Sequence, residues 1–125
     1  MIELSTRARV NADNSQWSQI KFIFDEQEPY IIEMIIGCDT EKEVSWDIGR
    51  TEMRDAILTD WPSGLSDIIM IRFERTLRMY LKNETERCSL DFEIEKLRPF
   101  LIETYNIISH RKEQAMIEDE IDKWI

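Results

Sequence analysis

The amino-acid sequence predicts an α+β protein with antiparallel β-meander sheets, a short middle helix and two C-terminal helices. Three observations support this prediction. Apolar residues alternate with a period of two through most of the first half, which is typical of strands with one buried face. A short segment of helical spacing interrupts the strands, and helical spacing returns over the last third of the chain. At 125 residues and without a linker-like segment, residues 1–125 should form a single domain.

The first four predicted strands are joined by short polar links, a pattern typical of an antiparallel meander. Asn and Asp side chains in the link at 11–15 satisfy backbone groups locally, and residues 25–29 break the alternation. The strands are predicted at residues 3–10, 17–24, 30–38 and 44–48. Together with a later helix they should supply a core of Phe22, Phe24, Met34, Val44, Trp46, Ile48, Leu97 and Leu101.

The spacing of Met53, Ala56 and Ile57 predicts a short helix over residues 51–59, with Thr51 as its N-cap. This helix should end at the break formed by residues 60–64, which includes Pro62. Three more strands are predicted at residues 67–74, 77–82 and 88–92, with a turn at 83–86.

Both C-terminal helices are predicted from their apolar spacing. Pro99 favours a helix that begins near it, because a proline at the first helical position loses no hydrogen bond. A link at residues 109–112 should precede a second helix over 114–125. That helix should place Ile117, Ile121 and Trp124 or Ile125 on one side, and its acidic residues on a solvated face: Glu113, Glu118, Asp119, Glu120 and Asp122.

The charge balance excludes several classes of protein. Asp and Glu number 26 against 16 Lys and Arg, which gives a net charge of −10. Such a surface argues against general binding to phosphate backbones or to anionic membranes. The N-terminus lacks a signal-peptide pattern, and no apolar run approaches the roughly 20 residues of a membrane helix, so we expect a cytoplasmic protein without membrane insertion.

The sequence lacks the residue patterns of catalytic and metal sites, so we expect no enzyme activity, metal or cofactor. Its single histidine, His110, lies in a polar link, and a nucleophilic Cys–His pair would have to bring it within hydrogen-bond reach of Cys38 or Cys88. We expect both cysteines to be small buried residues rather than a disulfide. No spacing of Cys and His fits a zinc site, and the glycines are too dispersed for a phosphate-binding loop.

Two groups of residues are candidates for binding a partner. A possible subunit or partner interface consists of aromatic and apolar residues near the ends of elements, namely Tyr30, Trp61, Trp124 and Ile125. The alternative is that these residues pack on the chain's own core. A possible single-stranded nucleic-acid contact consists of Arg72, Arg75, Arg78, Tyr80 and Lys82. The net negative charge favours the alternative, in which these charges keep strand edges from aggregating.

Four local segments share their pattern with one known family. They read Phe-Asp-Glu-Gln-Glu-Pro-Tyr at 24–30, Val-Ser-Trp-Asp-Ile-Gly-Arg at 44–50, Gly-Leu-Ser-Asp-Ile at 64–68 and Leu-Arg-Pro-Phe-Leu-Ile-Glu-Thr at 97–104. In this combination the chain resembles the SsgA-like proteins, actinobacterial factors of sporulation and cell division, from about residue 22 to residue 125. It departs from the family pattern at Thr51-Glu52-Met53, where the family has Asp-Leu-Leu.

The resemblance implies a whirly-like fold, assembly as a homotrimer and a function as a non-enzymatic adaptor. Such an adaptor would help to choose septum sites and would recruit division proteins such as the tubulin-like FtsZ through protein contacts. Two alternatives remain open at this point. One is a single-stranded nucleic-acid-binding protein of whirly-like fold, and the other is a phage-encoded interaction or structural protein that uses the same fold.

Overall fold

The computed structural model describes residues 1–37, 40–59, 61–65, 67–84 and 86–124, so Cys38 and Ile125 lie outside the described residues. The elements follow each other along the chain as β1 (Ile2–Val10), β2 (Trp17–Phe24), β3 (Ile31–Ile36), β4 (Val44–Gly49), α1 (Arg50–Leu58), β5 (Ser63–Leu65), β6 (Ile68–Phe73), β7 (Thr76–Lys82), β8 (Arg87–Glu93), α2 (Ile94–Ile107) and α3 (His110–Asp122).

The strands form one 8-stranded sheet in the order β4-β3-β2-β1-β8-β7-β6-β5. Two antiparallel meanders, β1 to β4 and β5 to β8, are joined where β1 pairs with β8. This joint is narrow, because its register pairs only Arg9 with Asp91 and Val10 with Leu90. The predicted α+β class is confirmed, with α1 in the middle of the chain and α2 and α3 at the C-terminal end.

One face of the sheet packs against α1 and α2 and contains the core. Phe22 of β2 lies at its centre, with its ring 5.3 Å from that of Phe92 and 6.2 Å from that of Phe100. Most residues predicted for the core are buried: Phe22, Phe24, Met34, Ile48, Leu97 and Leu101. Trp46 is only half-buried against the core, so Trp46→Ala should cost less than the about 3–5 kcal/mol expected for a fully packed ring.

The prediction that Val44 is buried was wrong. Its side chain is 51% exposed, because it lies in the first residue of β4, the strand at one end of the sheet order. Residues 60–64, predicted as a break, contribute an additional short strand, since Ser63 and Gly64 of β5 pair with β6.

Both C-terminal helices begin earlier than predicted, α2 because of tertiary packing and α3 because of a local N-cap. Helix α2 begins at Ile94 rather than near Pro99, since burying Ile94 and Leu97 extends the helix on its core side. Pro99 lies inside the helix on its exposed side. Helix α3 begins at His110 rather than after a link at 109–112, because the hydroxyl of Ser109 accepts a hydrogen bond from the Lys112 N–H at 3.1 Å.

Candidate interaction surfaces

A buried arginine cluster lies where α1, α2 and α3 meet. Arg50 is the first residue of α1, its side chain is fully buried, and its backbone N–H donates to the Tyr30 carbonyl at 2.8 Å. The guanidinium donates from Nη1 to the carbonyl oxygens of Thr104, at 3.0 Å, and Ile108, at 2.8 Å. A cation at these last carbonyls of α2 also compensates the negative end of the helix dipole.

Glu113 of α3 supplies the counter-charge for Arg50. Its Oε1 accepts from Arg50 Nε at 3.1 Å and its Oε2 accepts from the Thr51 hydroxyl at 2.9 Å. Two predictions are therefore wrong: Thr51 is not the N-cap of α1, and Glu113 is not on a solvated face. Buried charges require such pairing, because each would otherwise lose its hydration without compensation.

Aromatic rings complete the surroundings of Arg50. The Tyr105 ring lies 4.0 Å and the Phe24 ring 5.2 Å from the guanidinium carbon, within the range of cation–π attraction. Burial raises the pKa of the Tyr105 hydroxyl, although the nearby Arg50 and Arg54 act in the opposite direction. His110 is adjacent, with Nδ1 3.6 Å from Glu113 Oε2. The cluster is thus a tightly packed connection between helices.

A second arginine cluster lies on the opposite face of the sheet, which we call the outer face. Asp91 of β8 accepts from Arg9 of β1 at 2.8 Å and from Arg78 of β7 at 2.7 and 3.0 Å. Burial alone would raise the pKa of Asp91, but the hydrogen bonds from Arg78 and Arg9 outweigh it and hold the pKa below its usual value. This cluster spans the narrow joint between the two meanders.

The structure does not bring the proposed nucleic-acid contact residues together on one face. Arg72 donates to the Ile57 carbonyl at 2.6 Å and the Glu74 carbonyl at 2.7 Å, so it caps the end of α1. Arg75 lies in the turn between β6 and β7. Only Arg78, Tyr80 and Lys82 share the outer face, and Arg78 is already paired with Asp91.

The proposed interface residues lie on separate parts of the chain. Tyr30 is half-buried in a cleft of about 480 Å³ beside the Arg50 cluster, which Asp47, Glu52 and Ile117 also line. Trp61 is 77% exposed between α1 and β5, and Trp124 is 79% exposed after α3. Within the described residues, no ring contact joins the two tryptophans to Tyr30 or to each other.

No group of three or more His, Cys, Asp or Glu side chains within the described ranges could hold a metal ion. Cys88 is a free, half-buried thiol whose pKa is raised by burial and, less strongly, by Glu86. Among the described residues, no helix has the length and hydropathy needed to cross a membrane.

Comparison with known proteins identifies the family. The family model described as "Streptomyces sporulation and cell division protein, SsgA" matches residues 19–113. The chain belongs to the SsgA family. No curated protein is significantly similar to it in sequence.

Two solved structures share the fold of this SsgA-family chain at low sequence identity. One is described under "Mutations in SsgB correlate to longitudinal cell division during sporulation of Streptomyces coelicolor", with a TM-score of 0.77, 16% identity, and coverage of 91% of this chain and 94% of that chain. The other is an SsgA-like sporulation-specific cell division protein from Thermobifida fusca, with a TM-score of 0.74, 14% identity, and coverage of 99% and 96%.

The segments that resemble the SsgA family have identifiable structural roles in this chain. Phe24, Tyr30 and Thr104, from two of the segments, contact Arg50, which ends a third. Gly64 in the remaining segment has φ of +153°, and a Cβ there would overlap the Ile68 carbonyl oxygen. Three of the four segments therefore meet at Arg50.

Proposed function

We propose that this SsgA-family protein is a non-enzymatic adaptor in sporulation and cell division. It acts in the cytoplasm through protein–protein contacts, takes part in choosing the septum site and recruits division proteins of the FtsZ type. It carries out this function as a homotrimer. Membership of the family supports the biological process, and the exposed apolar residues support a function based on binding.

The observation that carries the proposal is the exposure of large apolar side chains at the end of α1. Leu58 is 70% exposed and Trp61 is 77% exposed. A cleft of about 260 Å³ begins at Leu58 and continues along α2 past Arg98 and Ile102. Trp61 follows Leu58 three residues along the chain. Tryptophan and arginine are enriched in binding hot spots, and soluble monomers seldom expose large apolar patches.

A binding assay with purified FtsZ tests the recruitment step. Wild-type protein should retain FtsZ, and Trp61→Ser should weaken retention at least about tenfold, as expected for a tryptophan at the centre of an interface. Trp17→Ser is a matched control, because Trp17 is also exposed but lies on β2. Equal retention of FtsZ by wild type and Trp61→Ser would contradict the assignment of this surface.

The proposed trimer is tested separately by light scattering. One chain has a mass of 15.0 kDa, so a homotrimer should scatter as about three times that mass at micromolar concentration. A value of 15.0 kDa over the same range would exclude stable self-assembly and would leave recruitment to be judged by the FtsZ assay.

Single-stranded nucleic-acid binding is the second candidate function. Trp17 and Tyr80 are exposed on the outer face, where Arg7 stacks on the Trp17 ring at 4.3 Å, and bases could stack on such rings. The net charge of −10 and the pairing of Arg78 with Asp91 weigh against it. Titration of a labelled oligonucleotide at increasing salt concentrations tests this function, because binding through phosphate contacts must weaken steeply as the salt concentration rises. No binding at 50 mM salt would exclude this function.

The third candidate is a phage-encoded interaction or structural protein of the same fold. The genes that flank the gene for this protein distinguish a phage-encoded protein from a cellular adaptor. Division and sporulation genes on both sides would support the adaptor, and phage structural genes would contradict it.

A further inference from the structure

Part of the outer face presents apolar and basic side chains to solvent. Ile69 and Tyr80 are directly paired across β6 and β7 and are 50% and 43% exposed. Lys82 and Arg87 are paired across β7 and β8, and Phe73 lies further along β6. We call these five residues the outer patch.

The apolar and basic composition of the outer patch is suited to binding an acidic, apolar segment. Ile69, Tyr80, Lys82 and Arg87 line a cleft of about 420 Å³, in which Asp67 is the one acidic lining residue. Within the described residues, neither Lys82 nor Arg87 forms an ion pair. A sheet face with uncovered apolar side chains and unpaired cations is unusual on a protein of net charge −10.

The last turns of α3 and the residues after it have the complementary composition. Ile121 is 46% exposed and Trp124 is 79% exposed. They are accompanied by exposed acidic side chains, of which, within the part of the chain that the structure describes, only Glu120 has an ion pair, to Lys123 at 3.8 Å. We call this segment the helix tip, and it consists of Glu118, Asp119, Glu120, Ile121, Asp122 and Trp124.

We propose that the helix tip of one copy of this chain docks on the outer patch of a second copy. Ile121 and Trp124 occupy the cleft beside Ile69 and Tyr80, and the tip's carboxylates face Lys82 and Arg87. Both surfaces are exposed in a single chain, so the contact is not made within one copy. The inference rests on the proposed self-assembly and names the surfaces that carry it.

This contact joins two different surfaces, so it is heterologous. Each copy would use its patch for one neighbour and its tip for another, and such contacts close into a ring when the rotation between copies permits. A three-membered ring is the closure that fits the proposed homotrimer. The acidic tip and the basic patch would also make assembly weaken as the salt concentration rises.

Two double variants and a control test the contact by light scattering. The patch variant is Tyr80→Ser with Lys82→Glu, and the tip variant is Ile121→Ser with Trp124→Ser. Each should weaken self-association at least about tenfold and shift the mass towards that of one chain. Val44→Ser, which removes an apolar side chain 51% exposed on β4, should keep the wild-type mass. Circular dichroism should show the same secondary structure for all variants, because every changed residue is exposed.

Mixing the two double variants gives the decisive result. The patch variant retains an intact tip and the tip variant retains an intact patch, so an equimolar mixture should form a species of two chains that neither forms alone. If the wild type is oligomeric and both double variants keep its mass, the proposed contact is wrong, although self-assembly itself is supported. Variants that are monomeric but give no two-chain species on mixing would also overturn it. A monomeric wild type would overturn self-assembly and this contact together, without affecting the FtsZ assay.

Discussion

The two arginine–carboxylate clusters use the same chemistry in opposite surroundings. On the helix side of the sheet, Arg50 and Glu113 have side chains that are 0% and 1% exposed. On the outer face, Asp91 is similarly buried, but its partners Arg9 and Arg78 are 30% and 26% exposed. Water reaches Arg9 and Arg78 in the outer cluster and does not reach Arg50.

This difference changes what each cluster does for the fold. Arg50 holds the end of α2 and the start of α3 against α1, and no solvent can replace a missing partner. The outer cluster reinforces the two-residue joint between β1 and β8, where water can solvate an arginine whose partner is removed. The ion pairs of the two clusters have similar bond lengths, but their contributions to the free energy of unfolding should therefore differ severalfold.

The largest effect is expected for Glu113→Ala. It leaves the Arg50 guanidinium buried without a counter-charge, which should lower the free energy of unfolding by about 3–5 kcal/mol. Urea unfolding measures this loss. Glu103→Ala is the matched control, because Glu103 is an exposed residue of α2 outside the helix tip and should change stability by less than about 0.5 kcal/mol. A loss below about 1 kcal/mol for Glu113→Ala would show that the Arg50 site is open to water.

Asp91→Asn should have an intermediate effect. The amide keeps the shape of the side chain but loses the charge that binds Arg9 and Arg78, so we expect a loss of about 1–2 kcal/mol. Urea unfolding in parallel with Glu113→Ala gives the ratio of the two effects. If Asp91→Asn destabilises the protein more than Glu113→Ala does, burial does not explain the difference between the two clusters in their contribution to stability.

The two clusters also differ in what the sequence could reveal. Strand alternation placed residues 17–24 correctly, but it could not indicate that β1 pairs with β8. Arg50 lies in a segment that resembles the family, whereas Glu113 was assigned to solvent with its acidic neighbours. A helical projection of α3 would have corrected this, because Glu113 lies four residues before Ile117 and shares its side of the helix.

The same limit explains the shifted start of α2. Pro99 is a strong local signal, but the burial of Ile94 and Leu97 outweighs the one hydrogen bond that a proline removes. Local rules therefore predicted the elements that the structure describes, except the short strand β5. Contacts between residues distant in sequence decided where α2 begins and which charged residues are buried, whereas the local N-cap at Ser109 decided where α3 begins.

The stabilisation from Asp91 should depend on pH in a defined direction. Its pKa in the folded protein lies below its usual 3.8, so the contribution is complete above that value and is lost as pH falls through the folded pKa. The stability difference between wild type and Asp91→Asn should therefore be constant near pH 7 and shrink below about pH 4. Urea unfolding at several pH values measures it, with Glu103→Gln, at an exposed residue of α2, as the control. A difference that grows on acidification would contradict the ion pair.

Arg9→Ala should have the smallest effect. Arg78 keeps both of its hydrogen bonds to Asp91, at 2.7 and 3.0 Å, so the carboxylate stays paired when Arg9 is removed. Arg9 is also 30% exposed, and ion pairs open to solvent contribute about 0.2–1 kcal/mol, so a loss of about 0.5 kcal/mol is expected. Combining Arg9→Ala with Asp91→Asn should add little to the loss from Asp91→Asn alone, because beyond the shared interaction the double variant removes only the exposed hydrogen bond from Arg9 Nη1 to Asn14 Oδ1, at 2.6 Å. Full additivity in this double-mutant cycle would mean that Arg9 stabilises the β1–β8 joint through contacts other than its bond to Asp91.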